Sequence, residues 1–165
     1  MVTITKATAA DNIFETFYDL VFNNVTDPNP PDDGSARKWV FSSFPQSAID
    51  VDSDDNETRS SSEIHYPLVE IDAPELVWET ATIGRNWANI TLNLYVYSTK
   101  RSQSVQLMDT IVEAVETRRT TDLLPLNVTM FNVDRQSSDV QFHGEVKLHR
   151  RTSEISCRFE FKRTL

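Results

Sequence analysis

The chain has 165 residues, 39% hydrophobic and 10% aromatic, enough for one domain with a sizeable core and too apolar for a disordered chain. Its 25 acidic and 16 basic residues give a net charge of -9, which argues against nonspecific binding to nucleic-acid backbones, because that needs basic surface. No apolar run approaches the ~20 residues that span a bilayer. Lys supplies only five of the basic residues (Lys6, Lys38, Lys100, Lys147 and Lys162). Many acids with few Lys suit concentrated salt, where at ~1 M the Debye length is about 3 Å and surface charges hardly repel. Such a balance suits a halophilic source, and an ordinary acidic cytosolic protein fits it as well.

The N-terminus, MVTITKATAADN, lacks the basic start and apolar core of a signal peptide. A cytosolic origin is expected, and one cysteine, Cys157, agrees because no internal disulfide is possible. Residues 9–24 place Ile13, Phe17, Leu20 and Val21 at helical spacing, with Phe14 and Tyr18 widening the stripe. TDPNPPDDG then makes a loop. RKWVFSSF, residues 37–44, has strand composition. SAIDVDSDDNETRSSS follows, a long acidic loop over 47–62. EIHYPLVEID (63–72) reads as a strand, and Pro67 inside it points to a sheet edge or a bulge.

Residues 76–97 carry a hairpin. LVWETATI runs through Gly84-Arg85-Asn86 into WANITLNLYVY, where Ala88, Ile90, Leu92, Leu94 and Val96 alternate with polar and aromatic residues. The period then changes. Val105, Met108, Ile111, Val112 and Val115 share a helical face, with Ser102 or Ser104 as N-cap and Arg118 and Arg119 at the C-terminus. Three strands are expected in the last third: LNVTMFNVDR, VQFHGEVKLHRR and EISCRFEFKR, separated by turns at QSSD and RTSE. Val140, Phe142, Val146 and Leu148 are expected on one face. The whole is α+β: a mainly antiparallel sheet packed with an N-terminal helix and a second helix after the central strands, in one domain over 1–165.

Chemistry is sparse. Asp50, Asp52 and Asp54 match positions one, three and five of an EF-hand loop, but position six is Asp55 instead of Gly and position twelve is Ser61 instead of Glu. A solvated acidic loop is expected, with no metal. His143 and His149, read on one strand, lie about 20 Å apart and cannot share a zinc. Cys157 falls in an apolar alternation and reads as a buried small hydrophobe. There is no nucleophile elbow, dinucleotide fingerprint or P-loop, and with three Gly a phosphate cradle is not expected. No catalytic, cofactor-binding or metal site is assigned, and the chain is not expected to be an enzyme.

The stretch IHYPLVEIDAPE, the hairpin, NITLNLYVYSTKRSQSVQLMDTIVEAVE and the closing SCRFEFKR resemble the tail terminator (tail-completion) proteins of long-tailed viruses. The likeness lies in the order of elements over nearly the whole chain. A strand ending in a "vYs" tract (Leu94 to Lys100) leads into an amphipathic helix (Ser102 to Thr117). The resemblance implies a virion protein, assembled in the host cytoplasm, that forms a hexameric ring. Such a ring terminates the tail tube and faces the head-side connector or stopper. DNA passes through its lumen without specific binding, and no membrane is involved. With the halophile-like composition, the source implied is a virus of a halophilic archaeon. Another neck protein (stopper or adaptor) or a cellular α+β binding module stays open. Interface residues are sought on the wide apolar arc of the first helix (Phe14, Phe17, Tyr18, Val21), which exceeds what one sheet face buries. Asp50, Asp52, Asp54 and Asp55 are sought as a loop reaching towards the tube or connector.

Overall fold

The structure is a computed structural model that describes residues 8–32, 34, 37–45, 50–51, 57–58, 64–82 and 85–162. Helix α1 (Ala9–Asn24) spans the predicted residues and buries Ala9, Ile13, Phe17, Leu20 and Val21. Asp11 sits in its first turn, where a carboxylate is favoured. It ends because Val25 turns extended and a proline-rich segment follows, which cannot continue a helix.

Strand β1 (Val40–Phe41) is far shorter than the predicted 37–44. The flanking residues are held by side chains and not by a ladder. The Arg37 guanidinium grips Asp27 at 2.7 Å and donates to the carbonyls of His65 and Pro67 at 2.8 and 2.9 Å. Beyond the strand, the Phe44 amide donates to the Glu70 carboxylate at 2.9 Å. In the acidic segment, β2 (Asp50–Val51) and β3 (Glu57–Thr58) form a small antiparallel pair.

Strand β4 (Leu68–Ile71) begins after the cis Tyr66–Pro67 bond. The expected edge position is corrected. Pro67 lies just before the strand, and β4 runs between a parallel β1 (Val40 opposite Val69) and an antiparallel partner. That partner is β6 (Arg85–Ser98), the long arm of the predicted hairpin with β5 (Glu75–Thr82). One edge of β6 therefore carries two strands in tandem, β5 against residues 85–91 and β4 against residues 94–97.

Helix α2 (Arg101–Arg118) buries Ser104, Leu107, Met108, Ile111 and Val115. The stripe is rotated from the predicted one, since Val105 and Val112 are only half-buried and Leu107 replaces them. Neither Ser102 nor Ser104 caps it. Lys100 is the N-cap, Ser104 is buried with its hydroxyl on the Arg101 carbonyl, and Ser98 Oγ accepts from the Lys100 amide. Two short helical turns, Arg119–Leu123 and Leu124–Leu126, then bury Leu123 and lead to Asn127 at φ 62.

The last third holds two strands and not three. β7 (Val128–His143) and β8 (Val146–Lys162) run straight through QSSD and RTSE and turn only at Gly144–Glu145, with Gly144 at φ 59. Gln136 to Asp139 face Ser153 to Arg150 across the ladder, one residue out of step with RTSE, and several of these side chains pair, though the buried Ser153 hydroxyl has no partner. Asp139 pairs with Arg150 at 2.6 Å, and Arg151 donates to Ser138 and Gln136. The turn also splits the expected face: Phe142 lies opposite Lys147 and Val140 opposite His149, while Val146 and Leu148 stand across the pleat. His143 and His149 are likewise on different strands and opposite faces.

The sheet order is β1-β4-β6-β8-β7, with β5 on β6. The fold is α+β, as predicted. Both helices cover one face, where Ala88, Ile90, Leu92, Leu94 and Val96 meet Ile155, Cys157 and Phe159. A smaller cluster of Leu68, Tyr97 and Leu148 lies on the other face, flanked by Phe41, Phe44, Ile64 and Tyr66. Among the described residues no helix is long and apolar enough to cross a membrane.

Candidate functional site

Two part-exposed surfaces lie at opposite edges of the sheet, each packed on the fold from one side. The first is the outer side of α1. Phe14, Tyr18 and Phe22 recur every four residues and so stack along one line of the helix. Successive ring centroids are 6.1 Å apart. Phe22 is 40% exposed. The Tyr18 hydroxyl donates to the Val40 carbonyl at 3.2 Å, which fixes the row against the β1 edge. Burial, and then the charge of Asp19, push the Tyr18 phenol above its ordinary range. Asp11, Glu15 and Asp19 form an exposed acidic row beside the aromatic one. An open cleft of about 390 Å³ lies between them and the β1 end, lined by Phe14, Glu15, Tyr18, Asp19, Lys38 and Ser42.

The second surface is the far edge. Among the described residues β7 pairs only with β8, which leaves the other side of this 16-residue strand without a strand partner there. Such an edge invites another chain unless it is blunted. Its first part is blunted: register shifts fall at Thr129/Asn132 and Val133/Arg135, and Asp134, Arg135 and Asp139 add charge. Its last part is not. Val140 is 48% exposed and Phe142 71%, and across the turn Val146 on β8 is 42% exposed. The β7–β8 tip also overshoots the sheet, because the last residue of β6, Ser98, already pairs with His149.

One side of this tip is supported. His143 packs edge-on against Phe44 at 5.2 Å, and its Nδ1 lies 3.3 Å from the Tyr66 hydroxyl. Leu148 is buried with Leu68 and Tyr97. The side bearing Phe142, Val140 and Lys147 has no such cover.

Between the two edges, the uncovered sheet face is a ladder of polar and aromatic pairs. Tyr97 donates to Glu70 at 2.7 Å. Arg150 lies over Tyr95 at 5.4 Å and Arg158 over Trp87 at 4.9 Å. Trp87 and Asn89 both donate to Glu79. Burial raises the Tyr97 phenol first, then the Glu70 carboxylate beside it; burial and Asp72 push Tyr95 to about 12. Most of these polar groups pair with one another, while the buried Nε of Arg158 has no hydrogen-bond partner.

The predicted site residues separate accordingly. Phe14 and Tyr18 stand together on the outer side of α1. Phe17 and Val21 do not join them: both are fully buried, because α2 packs on that side of the helix, and an interface role for them is corrected to a core role. Asp50 lies in β2, and Asp52, Asp54 and Asp55 lie outside the described residues. Cys157 is buried as expected, and burial pushes its thiol up to about 12. Among the described residues no group of three or more His, Cys, Asp or Glu side chains could hold a metal ion. The hairpin tip was not anticipated, though a Gly between the apolar pairs of VQFH and VKLH marks it. No protein-family model matches the chain, and no curated protein matches it.

Proposed function

We propose that this chain is a structural virion protein that assembles into a ring, hexameric by its resemblance to tail terminators, which ends the tail tube and joins it to the head-side connector. The observation that carries this reading is a pair of part-exposed apolar surfaces at opposite edges of one sheet: the α1 aromatic row at the β1 edge, whose Phe14 and Tyr18 pack on the core on one side and whose Phe22 is exposed, and the unblunted end of β7. Two different patches facing opposite ways make a head-to-tail contact, and such a contact closes into a ring when the rotation fits. The order of helix, strands, helix and long hairpin supports the same reading. A net charge of -9 suits a lumen through which DNA slides without sticking.

The test is made on particles. Virus lacking this protein is expected to yield tails of uncontrolled length or tails detached from heads, seen by negative-stain microscopy. Normal joined particles would refute the reading.

A further inference from the structure

We infer that the seam between copies is made by the β7–β8 tip of one copy seated on the Phe14–Tyr18–Phe22 row of the next, with Phe142 entering the cleft beside Glu15 and Asp19. This rests on the ring reading and names its contact. Three observations carry it.

The first is shape. The tip projects past the sheet and is supported from one side only, so Val140 and Phe142 are presented on a pre-ordered ledge. Pre-ordering lowers the entropy lost on docking. The recipient is a concave, part-aromatic surface of about 390 Å³, more room than one phenyl side chain occupies. Aromatic anchors in such pockets dominate binding energy.

The second is charge. Lys147 stands directly opposite Phe142 on β8, and His149 opposite Val140, so a cation and an imidazole flank the apolar pair. Glu15 and Asp19 flank the aromatic row, and neither forms an ion pair among the described residues. Lys38 also lines the cleft, but its ammonium is drawn over the Phe41 ring at 5.6 Å. A chain of net charge -9 brings its copies together against overall repulsion. Lys147 set against Glu15 and Asp19 favours this orientation, offset in part by Glu145, the exposed turn residue two positions before it.

The third is placement. The tip belongs to the β7 edge and the row to the β1 edge, so neither surface can meet its own partner within one protomer, and each copy keeps one of each free for the next. Bulges and charges protect the rest of β7, leaving the tip as the part of that edge open to a neighbour.

Sedimentation velocity over a range of protein concentrations, at low and molar NaCl, tests the seam in the full chain. Wild type is expected to associate in a concentration-dependent way. Phe142→Asp is expected to weaken association roughly tenfold or more at both salts, with an unchanged thermal melt because the side chain is exposed. Glu15→Lys and Lys147→Glu should each weaken it a few-fold at low salt, the double variant should recover it, and molar salt should erase all three effects. Association indifferent to Phe142→Asp, a double variant no better than the singles, or a wild type monomeric at every salt and concentration would each overturn the seam. The ring reading stands or falls separately, on the particles made without the protein.

Discussion

The two faces of the sheet share every backbone strand and differ in almost everything else. Along β6, Ala88, Ile90, Leu92, Leu94 and Val96 are buried under the helices, while Trp87, Asn89, Thr91, Asn93 and Tyr95 between them are only half-covered. Burial of apolar area, at roughly 25 cal/mol per Å², stabilises the first face. Apart from the small buried cluster of Leu68, Tyr97 and Leu148, the second is organised by single hydrogen bonds and cation–π contacts, each of about 1 kcal/mol or less once solvent competes. Alternation thus places most of the folding energy on one side and leaves the other side, with its edges, free for contact.

The sharpest way to break this contrast is to cut into the covered face. Leu92→Ala empties a fully buried site between the helices and is expected to lower stability by about 2–5 kcal/mol in urea unfolding, with a lower midpoint and an unchanged slope. A loss below 1 kcal/mol would mean that the two faces are energetically alike.

Arg37→Ala comes next. The Arg37–Asp27 pair is nearly buried, with side chains 9% and 14% exposed, and the same guanidinium serves two carbonyls of the segment that leads into β4. Removing it strands a carboxylate and two acceptors, which is expected to destabilise by about 3 kcal/mol. A thermal melt checks this, and Arg37→Lys should recover only part, since an ammonium lacks the planar fork.

On the uncovered face, Tyr97→Phe removes the bond to Glu70 and is expected to lose about 1 kcal/mol near neutral pH. Tyr95 and Tyr97 are both raised above the ordinary 10.0, Tyr95 to about 12. Below pH 10 both phenols are protonated in either state, and their contribution is complete. Above it the unfolded chain releases protons that the folded chain retains, so stability falls as pH climbs from about 10 through 12. Tyr97→Phe should make that alkaline decline shallower, as read from melting temperatures at successive pH values. Arg158→Ala, which loses only the stack over Trp87, should shift stability by less than about 1 kcal/mol.

Residues 9–24 and the alternation from Ala88 to Val96 were legible in the sequence because each shows a clean period, 3.6 or 2, that one buried side imposes. QSSD and RTSE misled because polar clusters resemble turns; only the partner strand reveals that Asp139 and Arg150 face each other. β1 misled for the opposite reason: Arg37 and Phe44 look like strand residues but are claimed by Asp27 and Glu70 from far along the chain. On α1 the wide apolar arc was visible, but which part faces inward depends on where α2 docks, so Phe17 and Val21 were grouped with Phe14 and Tyr18. The hairpin tip escaped notice because its exposure comes from β8 outrunning β6, a property of register that no local pattern encodes.

Cys157, set in the middle of β8 between Ile155 and Phe159, has a consequence for optical and spin-label work. It is the only thiol in the chain, it is buried, and with its proton held up to about 12 almost none of it is thiolate at neutral pH. Maleimides and nitroxide reagents therefore find the native protein nearly blank. A cysteine introduced at one exposed position takes the whole label, without first having to replace the native one and disturb the core around it.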